Sequence, residues 1–146
     1  MKFFGSLTMT AVLVATAFAQ GINIGAPAAG TTISAGSNFT VEIDRPNTLS
    51  SSVEVAVVIG FSSCETPQDF CTQDPEAVGD ILYNGPYNPQ FHTDVTPGKG
   101  PYQNFTVTIP SDAPTGPAQL SVVHFALIGA GPFPFLQTRN ITINVD

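Results

Sequence analysis

Residues 38–44 read NFTVEID, and residues 104–109 echo them as NFTVTI. In the first, Phe39, Val41 and Ile43 alternate with Thr40 and Glu42; in the second, Phe105, Val107 and Ile109 alternate with Thr106 and Thr108. Successive side chains of an extended chain point to opposite sides, so a hydrophobic period of two marks a strand with one face in a core and the other in water. Residues 139–145, RNITINV, repeat the pattern with Ile141, Ile143 and Val145.

Working outward, Val53–Phe61 and Leu120–Ile128 are apolar almost throughout and read as central strands covered on both faces. Ile22–Ile24, Thr31–Ile33 and Asp80–Tyr83 are shorter strand candidates. Between them lie turn-forming runs such as Gly25–Gly30, Ser34–Ser37 and Ser111–Pro117, rich in Gly, Pro, Ser and Asp. A single helical turn fits near Asp74–Val78. The expectation is an all-β domain: an Ig-like or fibronectin-like two-sheet antiparallel sandwich of about seven strands. The Cys–Trp–Cys hallmark of true immunoglobulin domains is missing, since the chain has no tryptophan.

The N-terminus sets the compartment. Lys2, the apolar run Leu7–Phe18 and the small-x-small triplet Ala17-Phe18-Ala19 predict a signal peptide over residues 1–19, leaving residues 20–146 as one secreted domain. No later run reaches bilayer-spanning length, and RNITINVD at the C-terminus offers no anchor signal. The formal net charge of −7 becomes one unit more negative without Lys2, which argues against nucleic acid and anionic membranes as partners. A monomer is expected.

On the secretory route, the Asn-x-Thr sequons at Asn38, Asn104 and Asn140 become candidate glycosylation sites. Each asparagine sits on the polar phase of an alternating run. The two cysteines, Cys64 and Cys71, are expected to pair there. Closing so short a loop contributes about 2.5 kcal/mol in the chain-entropy account. Two thiols without a neighbouring histidine are at best half a metal site.

Catalytic signatures are sparse. There is no G-x-S-x-G elbow, and Gly129-Ala-Gly131 runs into proline and not into a phosphate-cradling helix. His124 lies inside an apolar strand, as a core histidine would. Copper-dependent polysaccharide oxidation needs an N-terminal histidine, and the processed chain begins at Gln20. Glu65, Asp69, Asp74 and Glu76 lack the regular spacing of a calcium loop. The expectation is a non-enzyme without cofactor or metal.

What stands out is aromatic side chains among prolines. Residues 81–92, ILYNGPYNPQFH, carry Tyr83, Tyr87 and Phe91, and residues 129–138, GAGPFPFLQT, carry Phe133 and Phe135. Proline stiffens both segments, so their rings are held at low entropic cost. The first reads as a short strand, Ile81–Tyr83, running into a loop. The five rings are either a lid on the open ends of the sandwich or a partner surface. In the second case, replacing Tyr87 and Phe91 with alanine removes binding and spares stability.

These blocks, with the opening INIGAPAAGTTISAGSNFTVEIDRP, the run PYQNFTVTIPSDAPTGPAQLSVVHF and the closing GAGPFPFLQTRNITINV, resemble the fungal necrosis-inducing secreted effector family, the Nis-type proteins. The resemblance implies a secreted effector that binds host plant receptor-like kinases and dampens immune signalling. It carries no catalytic residues over. Reaching kinase domains requires entry into the host cytosol, where a Cys64–Cys71 bridge is exposed to reduction. The rival reading is a cell-wall-associated or glucan-binding Ig-like protein, because the GTTISAG opening and the Ser111–Gly116 turn also resemble fungal wall-assembly domains.

Overall fold

The computed structural model describes residues 21–48, 51–64, 76–93 and 98–146. Within them the chain forms eight strands: β1 (Asn23–Ala26), β2 (Thr32–Ile33), β3 (Asn38–Asp44), β4 (Ser52–Ser63), β5 (Asp80–Pro86), β6 (Tyr102–Thr108), β7 (Gly116–Ile128) and β8 (Phe133–Val145). Helix is absent among the described residues. The helical turn expected near Asp74–Val78 falls partly outside them, and Ala77–Val78 is irregular.

The strands form two sheets, β1-β3-β6 and β2-β8-β7-β4-β5. The expectation of an all-antiparallel arrangement needs one correction: β2 runs parallel to β8, pairing Thr32 with Asn144 and Ile33 with Val145. The described residues hold eight strands, against an expectation of about seven. The other pairings are antiparallel.

The alternation in NFTVEID and NFTVTI becomes a shared face. β3 and β6 pair so that Phe39 lies opposite Val107 and Val41 opposite Phe105. Val41, Ile43, Phe105 and Val107 are buried, as are Val57, Ile59, Phe61, Leu120, Val122 and Ile143 from the larger sheet, and together they make one core cluster. Burying each such side chain stabilises the fold by roughly 1.5–3 kcal/mol before entropy is counted.

β4 and β7 were expected to be covered on both faces, and the structure corrects this. Their inner face is the core, but outside it Val53 of β4 is 62% exposed. Among the described residues, the segment Ala77–Gly79 roofs one part of the outer face. There the Ala77 carbonyl accepts from Gln119 Nε2 (3.3 Å) and Ser121 Oγ (2.9 Å), so these two buried polar residues are satisfied. The roof requires glycine beneath it. A Cβ on Gly60 would overlap the Val78 carbonyl, and Gly79, at φ +69°, would drive a Cβ into the carbonyl of Phe61.

β5 and β8 are longer than expected. β5 continues to Pro86, which pairs with Ala56, and β8 begins at Phe133, with Pro134 opposite Leu127. Proline is tolerated at both places because the strands lie at sheet edges: β5 is the terminal strand, and β2 borders β8 only at Asn144 and Val145. The GPFPFL stretch is therefore the turn and first residues of a hairpin, not a loop.

Candidate functional site

At one end of the molecule polar groups enter the space between the sheets. The cause is a β-bulge in β4. Glu54 lies opposite Ala126, yet Ala56 lies opposite Phe125, so one extra residue is accommodated between them. A bulge reverses which side chains face inward. It sets Glu54 on the same side as Val57, facing His124 of β7.

His124 is 1% exposed, and its Nε2 lies 2.5 Å from Glu54 Oε2. Glu54 Oε1 accepts from Arg45 Nε and from Ser52 Oγ, each at 2.6 Å. Arg45 Nη2 donates to Ser52 Oγ at 2.5 Å. Burial alone would push the Glu54 carboxyl up, but the hydrogen bonds from His124, Ser52 and Arg45 outweigh it and hold the group down at about 2. His124 Nδ1 has no hydrogen-bond partner among the described residues.

Tyr87 closes this end. It is 2% exposed, its hydroxyl donates to the Ile43 carbonyl of β3 at 3.1 Å, and its ring meets His124 edge-on at 5.5 Å. One side chain thus spans both sheets. Burial, with the Glu54 and Asp44 charges adding to it, pushes its phenol above the ordinary range. Among the five aromatic residues singled out in the sequence, Tyr87 does not belong to the surface: it is a core plug, and its loss must cost stability.

The other four divide. Tyr83 is half-buried, packing on Phe105 at 4.6 Å between ring centres, and Phe135 is half-buried with its ring 6.3 Å from His124. Phe91 and Phe133 are 67% and 73% exposed. They do not form one patch with Tyr87. Phe91 instead rims a cavity of about 430 Å³ floored by Arg45, Ser52 and Glu54. Phe133 stands at the β7–β8 hairpin end, and Leu136, 69% exposed, lies on the opposite, outer face of β8.

On the outer face of the smaller sheet, Lys99 Nζ meets Glu42 Oε1 at 2.6 Å and Asp44 Oδ1 at 3.7 Å, and it lies 4.1 Å from the Tyr102 ring centre. His92 stacks on the same ring at 4.0 Å. Burial, opposed by Lys99, raises the Asp44 carboxyl. Lys99 thus offsets one of the two carboxylate charges.

Asn38, Asn104 and Asn140 are exposed on strands β3, β6 and β8. Cys64 is buried at the end of β4, its N–H donating to the Pro117 carbonyl at 2.9 Å. Residues 1–19, Cys71, Glu65, Asp69 and Asp74 lie outside the described residues. Among the described residues no group of three His, Cys, Asp or Glu side chains is placed to hold a metal, and no helix is long and apolar enough to cross a membrane.

A family model, the Nis1 family, matches residues 16–144. The chain belongs to the Nis1 family. The matched span includes both aromatic stretches and the Arg45–Glu54–His124 network, so this Nis1-family member carries them inside the shared domain. A comparison with curated proteins found no match. Among solved structures, a superoxide reductase (neelaredoxin) from Ignicoccus hospitalis is similar in fold, with a TM-score of 0.50 and 14% identity over 87% of this chain and 81% of the other.

Arg45, Ser52 and Glu54 were missed by sequence reading. Alternation from Val57, Ile59 and Phe61 back along β4 assigns Glu54 to the outer face, and only the bulge reverses it. The one available signal was a charged residue, Glu54, at the start of a run otherwise read as doubly buried.

Proposed function

We propose that this chain is a secreted, non-catalytic effector that binds and dampens plant immune receptor kinases. The observation that carries the reading is the Nis1-family match over residues 16–144. The aromatic and aliphatic groups at the hairpin end support it. Leu136 on the outer sheet face and Phe133 at the hairpin end expose apolar surface of the kind that anchors protein interfaces.

The finer parts of this reading go with it. Residues 1–19 direct secretion and are removed, Cys64 pairs with Cys71, and Asn38, Asn104 and Asn140 accept glycans on exposed strand positions. The two-sheet architecture is of the Ig-like sandwich kind. A kinase domain is met in the host cytosol, so the domain must tolerate reduction; the bridge contributes about 2.5 kcal/mol against a total of about 5–15 kcal/mol for typical domains.

The test is autophosphorylation by purified plant immune receptor kinase domains, with and without the processed protein, oxidised and reduced. Dose-dependent inhibition with direct binding is expected in both redox states. Absence of binding to all of the kinases removes the reading and leaves wall association as the alternative.

A further inference from the structure

The cavity beside Phe91 contains neither Phe133 nor Leu136, the side chains proposed to meet kinases, and Val53, Tyr87, Pro89 and Pro101 supply the apolar part of its lining. Its volume, about 430 Å³, falls in the range of small-ligand pockets, roughly 300–1,000 Å³. Arg45, Ser52 and Glu54 form the floor, and Asn88, Gln90 and Phe91 form the wall. A second cavity, near Ile81 and Thr106, has no charged group in its lining.

The wall is held in place. Gln90 exchanges two backbone hydrogen bonds with Tyr102, at 3.1 and 3.0 Å, and the Asn88 N–H donates to Gln103 Oε1 at 2.7 Å. Gln90 Nε2 is engaged by Asn88 Oδ1 at 2.8 Å. A loop fixed in this way loses little entropy when a ligand arrives.

The floor selects the chemistry. Glu54 is already saturated by Arg45, Ser52 and His124, so a cation finds no open carboxylate. Glu54 balances Arg45, so an anion finds no net positive charge. An apolar anchor residue of a protein partner would have to cover an ion pair, whereas interface cores are depleted of charge. A neutral ligand with many hydroxyls fits. Arg45 and the Asn88 side-chain Nδ2 supply donors, the Gln90 side-chain Oε1 supplies an acceptor, and the exposed Phe91 ring supplies an apolar platform for C–H faces.

We propose that the Arg45–Ser52–Glu54 pocket, with Phe91 in its wall, binds a unit of a neutral oligosaccharide. The site does not depend on the kinase reading. Bound sugar would hold the protein at a wall surface while the hairpin end stays free.

The experiment is isothermal titration of the processed protein with β-1,3-gluco-, β-1,4-gluco- and chito-oligosaccharides, repeated with Phe91→Ala and Phe91→Tyr. We expect one of the three to bind. Phe91→Ala then weakens binding by about tenfold or more with an unchanged melting temperature, and Phe91→Tyr preserves it. Three results overturn the proposal: no binding by any of the three sugars, affinity unaffected in Phe91→Ala, or capture of peptides and not sugars through Phe91. Kinase binding measured on Phe91→Ala separates the two readings, since it is expected to stay intact whichever way the sugar experiment falls.

Discussion

The two aromatic, proline-bearing stretches of this chain look alike in sequence and behave differently in the fold. Residues 81–92 lie along an edge strand and then turn inward. Tyr83 packs on Phe105, and Tyr87 plugs the end of the core with its hydroxyl on β3 and its ring on β7. Residues 129–138 form the turn and the start of the second arm of a hairpin, where Phe133 and Leu136 remain largely exposed and Phe135 turns back towards His124. Composition is shared, but burial is decided by which sheet each ring finds opposite it. An end of the molecule facing two sheets absorbs an aromatic side chain, whereas at the hairpin end Phe133 and Leu136 stay in solvent.

Substitutions should reproduce that contrast. The largest effect is expected for Tyr87→Ala, which empties the plug and strands the Ile43 carbonyl. Urea denaturation should show a loss of about 3–5 kcal/mol, the range for large aromatic truncations in cores. A loss below about 1 kcal/mol would place the ring outside the core.

Next comes acid. The folded state holds Glu54 near 2 against an ordinary value of 4.5, so it favours the carboxylate. That stabilisation is complete above the unfolded value and drains away as the pH falls through the folded one, between about 4.5 and 2. At about 1.4 kcal/mol per unit, the ceiling is about 3 kcal/mol. Stability of wild type and Glu54→Gln measured across that window should converge at low pH; parallel curves would deny the network.

A smaller effect is expected for Tyr87→Phe. It keeps the packing and removes only the bond to Ile43, so denaturation should report about 1–2 kcal/mol. At the other extreme, Phe133→Ala should shift stability by less than about 0.5 kcal/mol, as an exposed surface change does. A large loss there would make the hairpin end part of the core and erase the contrast.

How much of this was legible follows the same physics. The alternating runs at Asn38–Asp44 and Arg139–Val145 fixed strand, face and register, because a period of two leaves one choice once one face is buried. The inward phase of His124 was readable too, four residues on from Leu120 and two from Val122. Ends and interruptions were not. The prolines at 86 and 134 looked like strand breakers, since sequence does not say which strands lie at an edge. Val53 and Leu136 were harder still, because an apolar outer face left open and one that is covered are written with the same residues. The Glu54 bulge inverted a parity that the local pattern had assigned, and so the Arg45–Glu54–His124 network emerged only when β4 was placed against β7.

The most direct test of the division between a structural and an interacting aromatic stretch is kinase-domain binding by the double variant Phe133→Ala, Leu136→Ala, with its denaturation midpoint measured in parallel. Binding should be lost while the midpoint stays at the wild-type value. Retained binding with an unchanged midpoint, or unfolding of the variant, would contradict the assignment of the hairpin end to the partner.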